Sequence, residues 1–308
     1  MACKIGNFSV PDNELSDLIM KKKEQLFIMN KIIFSVGNPM NLPYLSSELY
    51  GVPSTKLYFK AKEILKLNKP IDESRNINPR QVKLALEKSF EEYGLDGWVV
   101  EFSKKHITTI YSTEKKITIG KNRMFSQSDV DALPVHEVGV HALRCENGLA
   151  QPIKLFALGV PGYLSTEEGL ATYFEELTGV LFTEKLRNYA GRVISVYSVM
   201  QGASFSSTFG YLKEFNFNDD DAWTLTLRAH RGGGFIKDHV YLQGKFEVAN
   251  FLERSGDLKK LFVGKVGVKD VPLVNDLFKQ GFLTKPKYLP MMSNSEQKLY
   301  RTNVVTSK

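Results

Sequence analysis

Two imidazoles bracket a carboxylate in His136-Glu137-Val138-Gly139-Val140-His141, and a second acidic pair follows within Thr166-Glu167-Glu168-Gly169-Leu170-Ala171. Together these residue types suit one kind of chemistry. A catalytic zinc site keeps three protein ligands and one open position, and two histidines of one helix with a downstream carboxylate are a recurrent way to supply them. The glutamate after the first histidine is then placed as the general base for a bound water. The chain has only five histidines, and two of them fall in this hexapeptide. Val135, Val138, Val140, Ala142 and Leu143 surround them, so the polar groups sit in an apolar run where an unshared imidazole or carboxylate is costly to bury. On helical geometry alone, either Glu167 or Glu168 can complete the set.

The spacing of the histidines sets a constraint. In the common peptidase motif they are four apart and share a helix face, whereas here they are five apart. Five steps along an α-helix carry a side chain about 140° around the axis, too far for one ion to be shared. A π-type turn, hydrogen-bonded i→i+5, brings them back together, and Gly139 tolerates the distortion. The sequence therefore predicts a π-bulge at Val138 to Val140.

A third block, Arg228-Ala-His230-Arg231-Gly-Gly-Gly-Phe235-Ile-Lys237-Asp238-His-Val-Tyr241-Leu-Gln-Gly244, concentrates positive charge around three glycines. It lacks the lysine-threonine ending and the preceding strand of a phosphate-binding loop. Taken in order, the three blocks resemble the microtubule-associated tyrosine carboxypeptidase family and its bacterial relatives, over about residues 115 to 250. The resemblance implies a zincin-like zinc metallopeptidase that removes a C-terminal residue, tyrosine in the characterised members. It assigns the metal to His136, His141 and Glu168, with Glu167 the lesser candidate, and the catalytic base to Glu137. A carboxypeptidase must also grip a free carboxylate, which suits the donors of Arg228, Arg231 or Lys237. It needs a donor to the developing oxyanion as well, for which Tyr241 and His230 are the candidates. Without the resemblance, the plainer expectation is that the arginines pair with Asp219, Asp220, Asp221 or Asp238.

The elements that must position these groups follow from periodicity. Helical spacing marks about Asn13 to Ser35, Lys56 to Asn68 and Pro79 to Tyr93. Three short strand-like runs follow, Trp98 to Phe102, His106 to Tyr111 and Lys116 to Gly120. Residues Lys116 to Lys121, just before the metal helix, are the expected strand for receiving substrate by backbone addition. Ser126 or Ser128 caps the metal helix, Pro134 bends it or marks its start, and Gly148 stops it. A second helix, Thr166 to about Thr178, carries Glu168. Lys237 to Leu252 reads as a helix bearing Tyr241, and Leu258 to Phe262 and Val271 to Phe282 as helices that close the fold.

The expected fold is α+β: predominantly helical and zincin-like, with a small antiparallel sheet beside the metal-binding helix. Residues 1–95 form a helical N-terminal region, 96–292 the catalytic domain and 293–308 a flexible tail. Its 308 residues, 43% hydrophobic, suffice for a substantial core. No run of about 18 apolar residues and no apolar leader occur, so a cytoplasmic protein without a membrane partner is expected. Cys3 and Cys145 are too few for a disulfide framework, and Cys145 reads as a small core residue. The net charge of +7 favours an acidic partner, and by resemblance the substrate is a protein or peptide C-terminus of tubulin-tail type. The lysines are scattered without interleaved aromatics, which argues against specific nucleic-acid binding. The competing readings are a non-catalytic zinc-binding regulatory protein and a polyanion-binding protein.

Overall fold

The computed structural model describes residues 15–70, 73–104, 108–254 and 256–293. Cys3, His106 and the tail beyond Ser293 lie outside them, as does the start of the first expected helix. The helices are α1 (Ser16–Phe34), α2 (Leu42–Tyr50), α3 (Thr55–Leu67), α4 (Pro79–Tyr93), α5 (Gln127–Leu133), α6 (Leu143–Ala150), α7 (Leu155–Leu158), α8 (Leu164–Leu177), α9 (Thr183–Met200), α10 (Phe205–Glu214), α11 (Asp219–His230), α12 (Val240–Glu253), α13 (Leu258–Leu261) and α14 (Val271–Lys279). A π-helix, Pro134–Ala142, joins α5 to α6. With three strands, β1 (Val99–Ser103), β2 (Thr109–Tyr111) and β3 (Lys116–Gly120), the class is mostly helical α+β.

The chain divides into two compact units, neither contiguous in sequence. The first takes residues up to Ile71, Val160–Gly162 and Thr183–Gln243; the second takes Asp72–Gly159, Tyr163–Phe182 and the chain from Gly244. In the first unit α2, which sequence periodicity did not pick out, begins with Pro43 in its first turn and ends at Gly51. Ile32, Leu42 and Leu45 form an apolar centre between α1 and α2.

In the second unit the core runs from Val82, Leu86 and Phe90 of α4 through Val100, Ile117 and Ile119 of the sheet to Val138 and Val140, then to Leu170 and Phe174. The valines that alternate with the site residues on the π-helix are thus the ones that anchor it.

Two expectations about the sheet need correction. Its strand order is β1-β3-β2, with β1 parallel and β2 antiparallel to β3, so it is mixed and not antiparallel. Because β3 is central, β1 takes one row of its backbone groups over Lys116–Gly120 and β2 takes the other over Lys116 to Thr118, so that part of the expected substrate strand is already paired; the edges are β1 and β2. The reason is visible in burial: Ile117, Ile119 and Gly120 are all buried, as a central strand requires.

Gly148 also differs from expectation. The helix runs on to Ala150, and the missing Cβ instead lets the backbone of Phe156 and Ala157 approach within 2.5–2.6 Å of where it would stand. Among the described residues no helix is long and apolar enough to cross a membrane.

Candidate metal centre

Ser126 opens the metal helix with a capping box, its side chain accepting from Asp129 N while Asp129 reaches back to the Ser126 backbone. Pro134 begins the π segment. A proline lacks the N–H of the regular ladder and its ring crowds the carbonyl four residues back, so a wider turn relieves it. The distortion spans nine residues, more than the three-residue bulge the sequence predicts, and Leu143 N donates to Val138 O in the i→i+5 pattern. Five residues then close about one turn, which returns His141 to the side of His136. Their ring centres are 4.8 Å apart.

On α8, Glu167 and Glu168 take different tasks. Glu168 Oε2 lies 3.5 Å from His136 Nε2 and 3.6 Å from His141 Nε2. These separations are long for hydrogen bonds, and Glu168 Oε2 is buried without a hydrogen-bond partner. They match the spacing of ligand atoms about a tetrahedral zinc, roughly 3.4 Å for bonds of 2.0–2.1 Å. The three donor atoms lie within 4.8 Å of one another. Glu167 instead faces the far side of His141, its Oε1 3.0 Å from Nδ1, and its Oε2 accepts from Arg144 Nη1.

Glu175 is not among the residues singled out from the sequence. Its Oε1 sits 2.6 Å from His136 Nδ1, so each imidazole has a carboxylate behind it and its Nε2 toward Glu168. Such backing fixes the ring and its tautomer. Glu175 lies seven residues after Glu168 on the same helix, and that i+7 spacing is the signal by which it could have been found.

Electrostatics reinforce the arrangement. Burial works against charge on both imidazoles, yet Glu175 and Glu168 hold the His136 pKa above its usual value, and Glu167 with Glu168 push His141 up to about 10. Burial also opposes the carboxylates; the facing imidazoles keep Glu168 well below the usual range, and Arg144, then Lys265 and His141, hold Glu167 at about 2. Three carboxylates around two imidazoles favour positive charge at this place, and a divalent cation would supply it in place of protons. Arg144, fully buried, donates further to the carbonyls of Leu261, Gly264 and Val266, which ties the centre to the chain around α13.

Glu137 lies between the histidines and keeps 8% exposure, as does His136, so the centre is not sealed. Cys145 is fully buried, its thiol pushed up to about 11 by burial, and its Sγ donates to Ser112 O at 3.3 Å. It stands apart from the three donors.

The third block, up to Gln243, lies in the other unit. Arg228 Nε donates to Asp238 Oδ2 at 2.7 Å and Arg231 stands 3.6 Å from the same oxygen, the pairing with Asp238 that the plainer expectation allows. His230 Nε2 bonds Thr208 Oγ1 at 2.9 Å, and burial lowers its pKa. Tyr241 stacks on Tyr189 at 5.3 Å. Lys237 is half-buried.

Fold and site together define a mostly helical α+β protein with a buried His-His-Glu centre suited to a divalent cation. Residues 4–307 match the family described as microtubule-associated tyrosine carboxypeptidase (MATCAP), and the chain belongs to it. It is similar to the mouse protein named "Putative tyrosine carboxypeptidase MATCAP2", 29% identical over 168 residues, which is 50% of this chain and 31% of that one. The human protein of the same name is 28% identical over 167 residues, again 50% of this chain and 31% of the other. The match thus spans about a third of the length of these curated relatives. A solved structure titled "The crystal structure of the putative lipoprotein from Colwellia psychrerythraea" aligns with 91% of this chain and 54% of its own, at 13% identity and a TM-score of 0.49.

Proposed function

We propose that this chain is a zinc-dependent, zincin-like carboxypeptidase that hydrolyses the last peptide bond of a protein or peptide with an acidic C-terminal segment, tyrosine being the first residue to test as leaving group. His136 and His141 would hold the zinc through Nε2, and Glu168 through its carboxylate. When bound, zinc supplies the Lewis acidity that makes a water nucleophilic at neutral pH and polarises the scissile carbonyl. Glu137 accepts the proton of the attacking water and returns it to the departing amine. Glu167 and Glu175 keep the two imidazoles turned toward the ion.

Arg228, Arg231 and Lys237 are assigned to the substrate's terminal carboxylate, and Tyr241 to the oxyanion, on their chemistry. His230 is the weaker oxyanion candidate, since Thr208 already takes its Nε2. The observation that carries the proposal is the orphaned Glu168 Oε2 facing both Nε2 atoms. Membership of a family described as tyrosine carboxypeptidase supports the reaction type.

The test is elemental analysis of the purified protein together with mass spectrometry of peptides with varied C-termini. One zinc per chain and loss of a single C-terminal residue are expected; a zinc-free protein, or one that trims no peptide at any C-terminus, would contradict it.

A further inference from the structure

A lysine is seldom buried unless paired, and its stem is long enough to carry the ammonium out to water. Lys265, in the second unit, is only 7% exposed. It belongs to residues 261–267, all of them buried. Lys265 N donates to Phe156 O at 2.7 Å, and a Cβ on Gly264 would stand 2.7 Å from the same oxygen. Arg144 takes the carbonyls of Leu261, Gly264 and Val266. The backbone that carries Lys265 is therefore fixed on both sides.

The ammonium ends between two groups. Ser112 Oγ accepts from Lys265 Nζ at 2.8 Å, and Glu167 Oε1 lies 3.6 Å from it. Ser112 follows β2 directly, and its carbonyl accepts from Cys145 Sγ, so this seat is held as well. Glu167 Oε1 is the oxygen that stands 3.0 Å from His141 Nδ1, whereas Oε2 accepts from Arg144. A cation thus stands at each oxygen of the carboxylate that backs His141.

The buried charges around the centre also need Lys265. The carboxylates of Glu137, Glu167, Glu168 and Glu175 are buried in this unit, and the cations buried with them are Arg144 and Lys265. Lys245, the remaining buried cation among the described residues of the unit, pairs with the exposed Glu176 instead. Four formal negative charges against two positive ones leave an excess that one divalent ion cancels while both imidazoles stay neutral, as metal ligands must be. Without Lys265 the loaded centre would bury a net charge, which is costly.

We propose that Lys265 is a positioning residue of the metal centre: from its seat on Ser112 it holds the Glu167 carboxylate against His141 Nδ1, and so fixes the ring whose Nε2 faces the ion. The proposal rests on the zinc reading and deepens it, adding Lys265 and Ser112 to the residues that support the metal.

The test is the zinc affinity of the full chain in competition with a chelator, measured as a double-mutant cycle. Lys265→Met, which keeps the stem and drops the ammonium, should weaken zinc binding about three- to tenfold, short of the 10- to 100-fold typical of a group bonded to the ligand itself. In a Glu167→Gln background the same change should cost less than about twofold, because the carboxylate through which Lys265 acts is gone. A role confined to packing would cost the same in both backgrounds. The cobalt(II)-loaded protein gives a second readout, since its visible spectrum follows ligand geometry. The band of Lys265→Met should shift from that of the parent, and should not shift further once Glu167→Gln is present. Ser112→Ala, a smaller change at a half-buried position, should lower the affinity in the same cycle, and carries the test if Lys265→Met fails to fold. Unchanged zinc affinity in these variants, or equal losses in the two backgrounds, would overturn the positioning role. A parent chain that binds no zinc would instead remove the zinc reading on which it rests.

Discussion

Glu137 and Glu168 are both buried acids near two imidazoles, yet they have different work in the proposed reaction, and single substitutions separate them. Glu137→Gln should keep one zinc per chain while kcat falls about 10²- to 10⁴-fold, the usual worth of a positioned general base. Metal content by mass spectrometry and turnover on one peptide check both halves; a fully active variant removes Glu137 from the mechanism. Glu175→Gln keeps the shape but weakens the acceptor behind His136 Nδ1, so zinc affinity should drop about 10- to 100-fold in competition with a chelator. Unchanged affinity would show that Glu175 does not support the metal.

At this scale much was legible. His136, Glu137 and His141 announce themselves because polar groups interrupt an apolar run, and the Glu167-Glu168 pair marks the next helix. Helical spacing could not separate the tasks of those two, and only the resemblance favoured Glu168, because adjacent positions on α8 both face the centre and it takes coordinates to tell an oxygen aimed at two Nε2 atoms from one bonded to Nδ1 and Arg144.

Among the elements, the crossing of α8 and α12 decides where Glu168 stands. Gly169 lies directly after Glu168, and a Cβ there would collide with the backbone of Gly244; a Cβ on Gly244 would collide with the backbone of Ser165. The glycine of the Glu-Glu-Gly-Leu-Ala block thus serves backbone packing. Gly244→Ala should cost at least about 3 kcal/mol, because backbone cannot move aside as a side chain can, and denaturant unfolding measures it. A loss below about 1 kcal/mol would mean that the crossing is loose. The π segment was foreseeable in kind because histidines five apart leave a helix no other way to share a ligand. Its nine-residue length was not, since it depends on the ladder around Pro134. The strands could likewise be seen in the sequence, but their order could not: period-two alternation says which residues face the core and nothing about which strand lies in the middle.

For the molecule as a whole, pH and salt are the broad levers. His239 is fully buried in the first unit, its Nε2 3.2 Å from Tyr50 O and its Nδ1 without a partner, and burial lowers its pKa to about 4. Unfolded, the same imidazole titrates near 6.5. Between those values the unfolded chain binds more protons, so the stability tied to a neutral His239 is complete above about pH 6.5 and fades as pH falls toward 4. His239→Gln keeps a donor for Tyr50 O and cannot titrate. It should flatten the decline over that window by up to about 3 kcal/mol relative to the parent; parallel stability curves for the two proteins would refute the assignment. The formal charge of +7 bears on the substrate. An acidic peptide should show KM rising with salt while a neutral one does not, since screening weakens long-range attraction. Composition made the charge plain, and apolar periodicity the helical class. Neither could reveal the division into two discontinuous units, because hydrophobic pattern marks the buried face of a segment without naming the segment it packs on.

The central claim is that His136, His141 and Glu168 share one zinc ion, and X-ray absorption at the zinc edge of the purified protein tests it most directly. The expected spectrum is one zinc per chain with two imidazole nitrogens and oxygen ligands at about 2.0–2.2 Å and no sulfur, the imidazole signal halving in His141→Gln. A thiolate shell near 2.3 Å, or a zinc spectrum unchanged by that substitution, would contradict it.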